Sequence, residues 1–298
     1  MNEKLNALST EGRNLRSLNL DQMSPLEIIT LMNDEDNTVI KGVKEQLPNI
    51  SKGIELMTQT IKNGGRVIYF GAGTSGRLGV LDASECMPTF GTTEEIQGII
   101  AGGDSALRNA MEGAEDSETL VIDDFKKLHV NHKDCLVAIA ASGRTPYCLA
   151  GLRYGKSLGA HSIGITANPH SKVSELADVA IDVNVGQEVL TGSTRLKSGT
   201  AQKMVLNMLS TVTMVGLGKV YSNLMVDMVA LNIKLYDRVK RIVMSATDCT
   251  PEVAEATLNL CDRKPKLAIV MIKTGCSKEA ALKRLEKSDG FVRKAIQY

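Results

Sequence analysis

Tryptophan is absent from this chain, and aromatic residues make up only 3% of its 298 residues. Proteins that stack the bases of single-stranded nucleic acids depend on aromatic side chains, so this class of function is disfavoured. An excess of one charge is also lacking, because 35 basic residues stand against 34 acidic ones. Such a chain has no overall field to attract nucleic acid or an anionic membrane. We expect neither partner, and an anionic ligand would need a local site.

Other signals are equally scarce. The six cysteines form no C-x-x-C pair, which is typical of reduced thiols in a cytoplasmic protein. The four histidines do not have the spacing of a metal site, so we expect no metal. The first residues contain no apolar signal segment, and no apolar run is long enough to span a bilayer. The sequence therefore predicts a cytoplasmic protein without a membrane anchor.

Three regions follow one another along the chain. Residues 1–54 form a helical segment, in which Ser24 is the predicted helix cap, Pro25 the first helical residue and Glu27 the third. Residues 55–218 alternate short apolar runs with helical patterns. Residues 219–298 form a C-terminal helical domain. The whole chain after Gly186 is predicted to be helical, with helices over 194–217 and 223–246 and three short ones starting near Thr250, 264 and 277.

The central region has the pattern of an α/β domain. Its five apolar runs, rich in Val and Ile, suit strands that are buried on both faces. They occupy residues 66–73, 96–103, 134–143, 161–169 and 179–186. Helices between successive strands produce right-handed crossovers and a parallel sheet. We predict a doubly wound five-stranded sheet in the flavodoxin-like order 2-1-3-4-5.

Two glycine loops follow the first and third of these strands. GAGTSG (71–76) matches G-x-G-x-x-G, a weak signal because the same pattern binds dinucleotides. ASGRTP (141–146) likewise follows a buried strand and precedes a helix, and both loops are rich in hydroxyl groups. In the predicted strand order both loops flank the switch point, where ligands bind. Backbone N–H groups and hydroxyls at helix N-termini suit a phosphomonoester. The candidate phosphate ligands are Gly73, Thr74, Ser75, Gly76, Ser142, Gly143, Arg144 and Thr145.

A third hydroxyl-rich stretch, TGSTRLKSGTAQK (191–203), precedes a long predicted helix. Ser193 and Lys197 are its candidate sugar-phosphate ligands, although Lys197 could equally lie on a helix surface. For any single loop, ordinary helix capping by Ser or Thr explains the hydroxyls. Three such stretches in one α/β domain favour a binding site instead.

The resemblance to known proteins rests on several long blocks. ASGRT resembles the phosphate loop of sugar isomerase (SIS) domains. Together with FGAGTSGRLGVLDASECMPTFG (70–91), GGDSALRNAMEGAEDS (102–117) and the 191–211 stretch, it resembles N-acetylmuramic acid 6-phosphate etherases. The segments NDEDNTV (33–39) and NLMVDMVALN (223–232) do so as well. The glucokinase regulatory protein is a distant relative that binds sugar phosphates without catalysis, so fold alone does not imply activity.

This resemblance implies a SIS domain over 55–218, a ubiquitin-associated-like helical tail, a homodimer and a cofactor-free reaction that releases D-lactate from a phosphorylated amino sugar.

It also implies two catalytic glutamates, Glu85 in DASEC and Glu115 in EGAEDS. We expect Glu85 to be the base at C2 and Glu115 the acid for lactate, and the sequence leaves the reverse division of roles open. The sequence places Glu112, Glu115 and Asp116 on one helix face. Asp82 is expected to be structural. Arg144 could, instead of binding the phosphate, point to solvent or pair with the lactyl carboxylate.

Three alternative functions remain open at this stage. An aldose–ketose isomerase would share the phosphate loops and a carboxylate base, but it needs no acid for ether loss. A sugar-phosphate sensor would bind without turnover, which the presence of both glutamates disfavours. An NAD-dependent oxidoreductase would leave the serine-rich second loop without a role. The sequence also leaves open whether the pathway recycles or scavenges cell-wall fragments.

Overall fold

A computed structural model describes residues 9–229 and 233–298 of the chain. Two helices, α1 (Pro25–Glu45) and α2 (Leu47–Lys62), precede the sheet. The predicted cap of α1 is confirmed, since the Ser24 side chain accepts the N–H of Glu27 while the Glu27 carboxylate accepts the N–H of Ser24. This reciprocal pair satisfies two donors that the first helical turn leaves without a partner.

The central elements alternate as predicted. In chain order they are β1 (Val67–Gly71), α3 (Gly73–Phe90), β2 (Ile96–Ile100), α4 (Ser105–Arg108), α5 (Leu120–Lys127), β3 (Cys135–Ile139), α6 (Pro146–Ser157), β4 (His161–Thr166), α7 (Lys172–Leu176), β5 (Val179–Asp182) and α8 (Lys197–Gly216). The five strands are parallel and lie in the order β2-β1-β3-β4-β5. The predicted fold class is confirmed, with each strand shorter than its apolar run.

The core of this sheet explains why its strands are so apolar. Every residue of β1 and β3 is buried, as expected for central parallel strands covered on both faces. Phe70 of β1 meets Phe125 edge to face, with ring centroids 5.2 Å apart, and Tyr147 at 6.3 Å. Three of the chain's few aromatic side chains therefore pack together beneath the sheet and fix α5 and α6 against it.

Helix α8 begins later than predicted. Its first residue is Lys197 instead of Thr194, because the buried carboxylate of Glu188 accepts the backbone N–H groups of Lys197 and Ser198, both at 2.9 Å. The carboxylate of Glu188, nine residues before the helix, therefore takes the place of the expected Ser or Thr cap. Its negative charge also complements the helix dipole.

The prediction that the chain is wholly helical after Gly186 is wrong at one place. Residues 220–225 form a small antiparallel hairpin, β6 (Val220–Tyr221) with β7 (Leu224–Met225). Ser222 in its turn has φ of 54°, a left-handed conformation that a continuous helix does not allow. The predicted helix over 223–246 accordingly begins only after this hairpin, as α9 (Ile233–Thr247).

Four further helices of the described chain follow α9, and the first three start where the sequence predicts. They are α10 (Pro251–Leu260), α11 (Pro265–Thr274), α12 (Lys278–Lys287) and α13 (Val292–Gln297). Thr250 and Ser277 accept backbone N–H groups at the starts of α10 and α12. The short helix α13 was not predicted, because its six residues carry no side-chain cap.

The described residues form two compact units. One comprises residues 9–84 and 95–210, and the other comprises residues 85–94, 211–229 and 233–298. The first unit contains the five-stranded sheet, and the second contains the C-terminal helices. Within the described ranges, no helix has both the length and the apolar character needed to cross a membrane.

Candidate active site

The first glycine loop connects β1 to α3 within the sheet unit. Gly73 begins the helix with φ of 54° and is exposed. Gly76 is buried where α3 meets the sheet, and a Cβ there would lie 2.6 Å from the carbonyl oxygen of Gly71. The glycine therefore allows the helix to pack closely on its strand. Thr74 beside it is half-buried.

Ser75 in this loop is buried and has a partner that the sequence analysis missed. Its hydroxyl donates to Gln202 Oε1 of α8 at 2.9 Å. Gln202 Nε2 is also buried and makes no hydrogen bond within the described part of the chain. Turning the Gln202 amide by 180° would let Nε2 donate to Ser75 and free the serine proton for a ligand oxygen.

The second glycine loop connects β3 to α6. Ser142 Oγ accepts the backbone N–H of Arg144 at 3.3 Å, which leaves the serine proton for another acceptor. Thr145 occupies the N-cap position of α6, but its side chain makes no capping hydrogen bond to the described residues. The side chains of Ser142, Arg144 and Thr145 are all half-buried. This loop therefore offers hydroxyl groups at the accessible start of a helix.

Gly143→Ala is expected to destabilise the fold more than Gly73→Ala. Both glycines have positive φ, 66° and 54°, so each alanine costs about 1–2 kcal/mol in backbone strain. At Gly143 the new methyl would also lie 2.2 Å from Ser171 Oγ, whereas no described atom lies within 4 Å at Gly73. Overpacking adds about 1–3 kcal/mol. Urea unfolding of the two variants measures the difference, and equal losses would contradict it.

Glu115 lies beside both loops. Its backbone carbonyl accepts the N–H of Tyr147, in the first turn of α6, at 3.0 Å. A cavity of about 230 Å³ reaches from this residue to the first loop. The lining residues are Ala72, Gly73, Arg77, Ala101, Ala106, Ala110, Met111, Glu112, Gly113, Ala114 and Glu115. The exposed residue Glu115 therefore borders the same cavity as the start of α3.

One expectation about Glu115 is wrong. Glu112, Glu115 and Asp116 do not share a helix face, because residues 112–116 form turns between α4 and α5. Gly113 has φ of 76° within this segment, which ends helical geometry there. The acidic residues therefore belong to an exposed loop that borders the cavity.

Lys197, a predicted phosphate ligand, has a partner inside the protein. Its Nζ lies 2.8 Å from Glu35 Oε2 of α1, and both side chains are buried. Glu35 also accepts hydrogen bonds from Asn14 and Arg16. Burial by itself would raise the pKa of Glu35, but the hydrogen bond and charge of Lys197, together with these donors, lower it. This ion pair joins α1 to the start of α8.

The start of α8 also contacts the first loop. A Cβ at Gly199 would lie 3.4 Å from Thr74 Cγ2, and Gln202 is the partner of Ser75. Ser193, before the helix, is half-buried, and its N–H donates to the carbonyl of Leu190. The structure thus brings the third predicted stretch against the first through its helix.

Glu85 lies in the last part of α3 and is exposed. It belongs to the second unit, whereas Glu115 belongs to the first. The pairing of the two carboxylates therefore stays a prediction. Asp82, one turn earlier, is half-buried and accepts a hydrogen bond from Ser210 at 3.2 Å. Burial raises the pKa of Asp82, although hydrogen bonds from Ser210 and Tyr69 act in the opposite direction.

Three residues beside the candidate site were not singled out from the sequence: Glu35, Arg77 and Gln202. Each lies inside a block that carries the family resemblance, NDEDNTV, GAGTSGRLG or SGTAQK. Membership of these blocks was the sequence signal that could have pointed to the three residues. Their partners are far away in sequence, for example 162 residues for Glu35 and Lys197, and no local pattern reveals such a pair.

Comparison with known proteins decides the family. Residues 49–156 match the N-terminal SIS domain of the glucokinase regulatory protein, and residues 114–212 match the SIS domain. An N-acetylmuramic acid 6-phosphate etherase from a Geobacillus species is 52% identical, over 98% of this chain and 100% of that protein. One from Mycolicibacterium smegmatis is 52% identical over 98% of both chains. The chain belongs to the N-acetylmuramic acid 6-phosphate etherase family.

The etherase fold is shared with a sugar isomerase of known structure. Phosphoheptose isomerase from Francisella tularensis superposes with a TM-score of 0.51 at 18% identity, covering 64% of this chain and 98% of that one. At this identity the likeness shows the fold alone. The predicted etherase resemblance is confirmed by the full-length relatives, and the α/β fold by the isomerase.

Proposed function

We propose that this chain eliminates the D-lactyl ether at C3 of N-acetylmuramic acid 6-phosphate and adds water, as a carbon–oxygen lyase of cell-wall amino-sugar catabolism. The products are N-acetylglucosamine 6-phosphate and D-lactate. Full-length relatives at 52% identity carry the etherase name. The observation in the structure that supports the reaction most directly is the cavity that joins Glu115 to the first glycine loop.

The chemistry requires a base and an acid. In the open-chain aldehyde, C3 is β to the carbonyl group, so removal of the C2 proton forms an enolate. The enolate re-forms the aldehyde with a C2–C3 double bond as the C3–O bond breaks and the lactate oxygen takes a proton from the acid. Water then adds at C3, and C2 regains a proton. Two carboxyl groups with different pKa values can perform these transfers.

We assign these proton transfers to Glu85 and Glu115. Glu115 is supported by its place in the cavity wall, next to α6 and the first loop. Glu85 is supported by the resemblance of its sequence block and by its exposure on α3. Glu85 as the base and Glu115 as the acid is the working assignment, and either order is compatible with the reaction.

The phosphate group is assigned to the two glycine loops. Ser142 and Thr145 have hydroxyl protons available, and the amide turn of Gln202 would release that of Ser75. The loop glycines, with Thr74, Arg144 and Ser193, complete the proposed site. Helix N-termini contribute favourable dipoles for a dianion. Lys197 stays a predicted ligand, although its ammonium group already pairs with Glu35.

The wider setting follows from the same family resemblance. We propose a cytoplasmic homodimer, with a SIS domain over 55–218 between the N-terminal segment and a C-terminal helical domain over 219–298. Either protomer could supply each carboxylate of a shared site.

Wild-type protein is expected to release D-lactate from N-acetylmuramic acid 6-phosphate without added metal or nucleotide. Chromatography of quenched samples should show D-lactate and N-acetylglucosamine 6-phosphate in equal amounts, each matching the loss of substrate. Appearance of a ketose phosphate instead would indicate an isomerase. Substrate binding by calorimetry without any product would indicate a sugar-phosphate sensor, and either result would contradict the etherase proposal.

A further inference from the structure

Arg77 lines the same cavity as Glu115. It lies in the first turns of α3, and its side chain is half-buried. Its Nε donates to the carbonyl oxygen of Leu107 at 3.1 Å, and Nη2 donates to that of Asn109 at 3.4 Å. These two carbonyls lie at the end of α4, just before the turns that carry Glu115. The guanidinium group is therefore held in a defined orientation.

The hydrogen bonds of Arg77 do not neutralise its charge, because both acceptors are uncharged carbonyl oxygens. They use Nε and one hydrogen of Nη2, which leaves both hydrogens of Nη1 and the second of Nη2. The remaining edge of the guanidinium group has two parallel donors, the geometry that matches a carboxylate. Within residues 9–229 and 233–298, Arg77 is thus a fixed cation with an unused pair of donors.

The charges around the cavity make such a cation necessary for the proposed substrate. Among the described lining residues Arg77 is the one cation, while Glu112 and Glu115 are acidic. The substrate carries a phosphate at C6 and a carboxylate on the lactyl group. The hydroxyl-rich loops suit the phosphate, but the lactyl carboxylate must approach the acidic residues near the breaking bond. Without a neighbouring cation, repulsion by the Glu112 carboxylate, and by Glu115 whenever it is ionised, would oppose this placement.

We infer that Arg77 binds the carboxylate of the lactyl group. The inference rests on the proposed function and adds a specificity-determining residue to it. Binding at Arg77 places the ether oxygen, which is two bonds from the carboxylate carbon, beside Glu115. It also distinguishes substrate from the sugar-phosphate product, which has no carboxylate.

The test compares three ligands with Arg77→Met and a matched control. The ligands are N-acetylmuramic acid 6-phosphate, its lactyl carboxamide and N-acetylglucosamine 6-phosphate. Wild type is expected to bind the acid about 10- to 100-fold more tightly than the amide, since bonds to charged groups contribute that much. Arg77→Met should lose this preference while its affinity for the product changes less than about twofold. Arg108→Met, an exposed neighbour on α4, should behave as wild type.

Two outcomes would overturn the inference. Equally weaker binding of all three ligands by Arg77→Met would mean that Arg77 contacts the phosphate that they share or only supports the loop. If Arg77→Met does not fold, Arg77→Lys takes its place, since it keeps the charge but loses the two parallel donors of the guanidinium group. Arg77→Lys should bind the acid less tightly than wild type and the product equally well. Equal binding of acid and amide by wild type would also refute the role. Calorimetry reads these affinities with Glu85→Gln introduced into every protein compared, so that the substrate is not consumed during the titration. The readout does not depend on lactate release, which separates this inference from the proposed function.

Discussion

Glu115→Gln is expected to lower kcat for D-lactate release by about 10²- to 10⁴-fold, the usual contribution of a positioned acid or base. Glutamine keeps the size and hydrogen-bonding capacity of the side chain but transfers no proton at neutral pH. The backbone bond from Tyr147 to the Glu115 carbonyl does not involve the side chain, so the loop should keep its place. Steady-state kinetics should show a much smaller change in KM. Glu85→Gln is expected to give a similar loss.

A matched control lies three residues further along the chain. Glu118 is exposed and approaches Arg153 only at 3.9 Å, so Glu118→Gln should retain wild-type kinetics. Full activity of either Glu85→Gln or Glu115→Gln would remove that residue from the mechanism.

The same variants decide which carboxyl group is the base. In D₂O, the base removes the C2 proton and returns deuterium, and mass spectrometry of recovered substrate detects this exchange. Loss of the acid should block lactate release while exchange at C2 continues. Loss of the base should abolish both. Exchange retained by Glu115→Gln and lost in Glu85→Gln would support the working assignment, and the reverse pattern would exchange the two roles.

Lys197→Met is expected to lower the free energy of unfolding by about 3–5 kcal/mol, because it removes the buried cation of Glu35 and leaves only the solvent-exposed Arg16 beside that carboxylate. Glu35→Gln should be destabilising for the corresponding reason. The double variant removes both charges and should recover much of the loss, since a buried pair contributes little net stability. Arg16→Met is the control, because the half-exposed Arg16 pairs with Glu35 near solvent and should contribute less than about 1 kcal/mol. Urea unfolding followed by circular dichroism would measure all four.

The pH dependence of this stability follows from the lowered pKa of Glu35. Folding favours the ionised carboxylate, so its contribution is fully present above the unfolded pKa, about 4.3. That contribution is lost as the pH falls through the lower folded pKa. The difference in stability between wild type and Glu35→Gln should therefore shrink below about pH 4. An unchanged difference there would mean that the charge of Glu35 is not what stabilises the fold.

The double variant also tests the predicted phosphate role of Lys197. If Lys197 acts only through Glu35, recovery of stability should bring recovery of KM for the phosphorylated substrate. Recovered stability with KM still raised would support direct contact between Lys197 and the phosphate.

Much of this fold could be predicted from local sequence. The apolar runs indicated all five strands, and the caps at Ser24, Thr250 and Ser277 marked helix starts correctly. Such signals act within a few residues, so they can be read directly from the chain. The hairpin at 220–225 escaped because its two-residue strands are too short for an alternating pattern, and its turn at Ser222 has no glycine.

The sequence by itself determined the α/β fold, the two glycine loops and, through its long blocks, the etherase family. Only the tertiary structure decided which groups meet: Ser75 with Gln202, Lys197 with Glu35, and the Glu115 carbonyl with Tyr147. From the sequence alone, Lys197 at the start of a helix could equally be a ligand or a surface residue. Burial shows that Lys197 is not a surface residue, because an ammonium group withdrawn from water requires a partner, and the helix that packs against it supplies Glu35. Its role as a ligand stays a prediction.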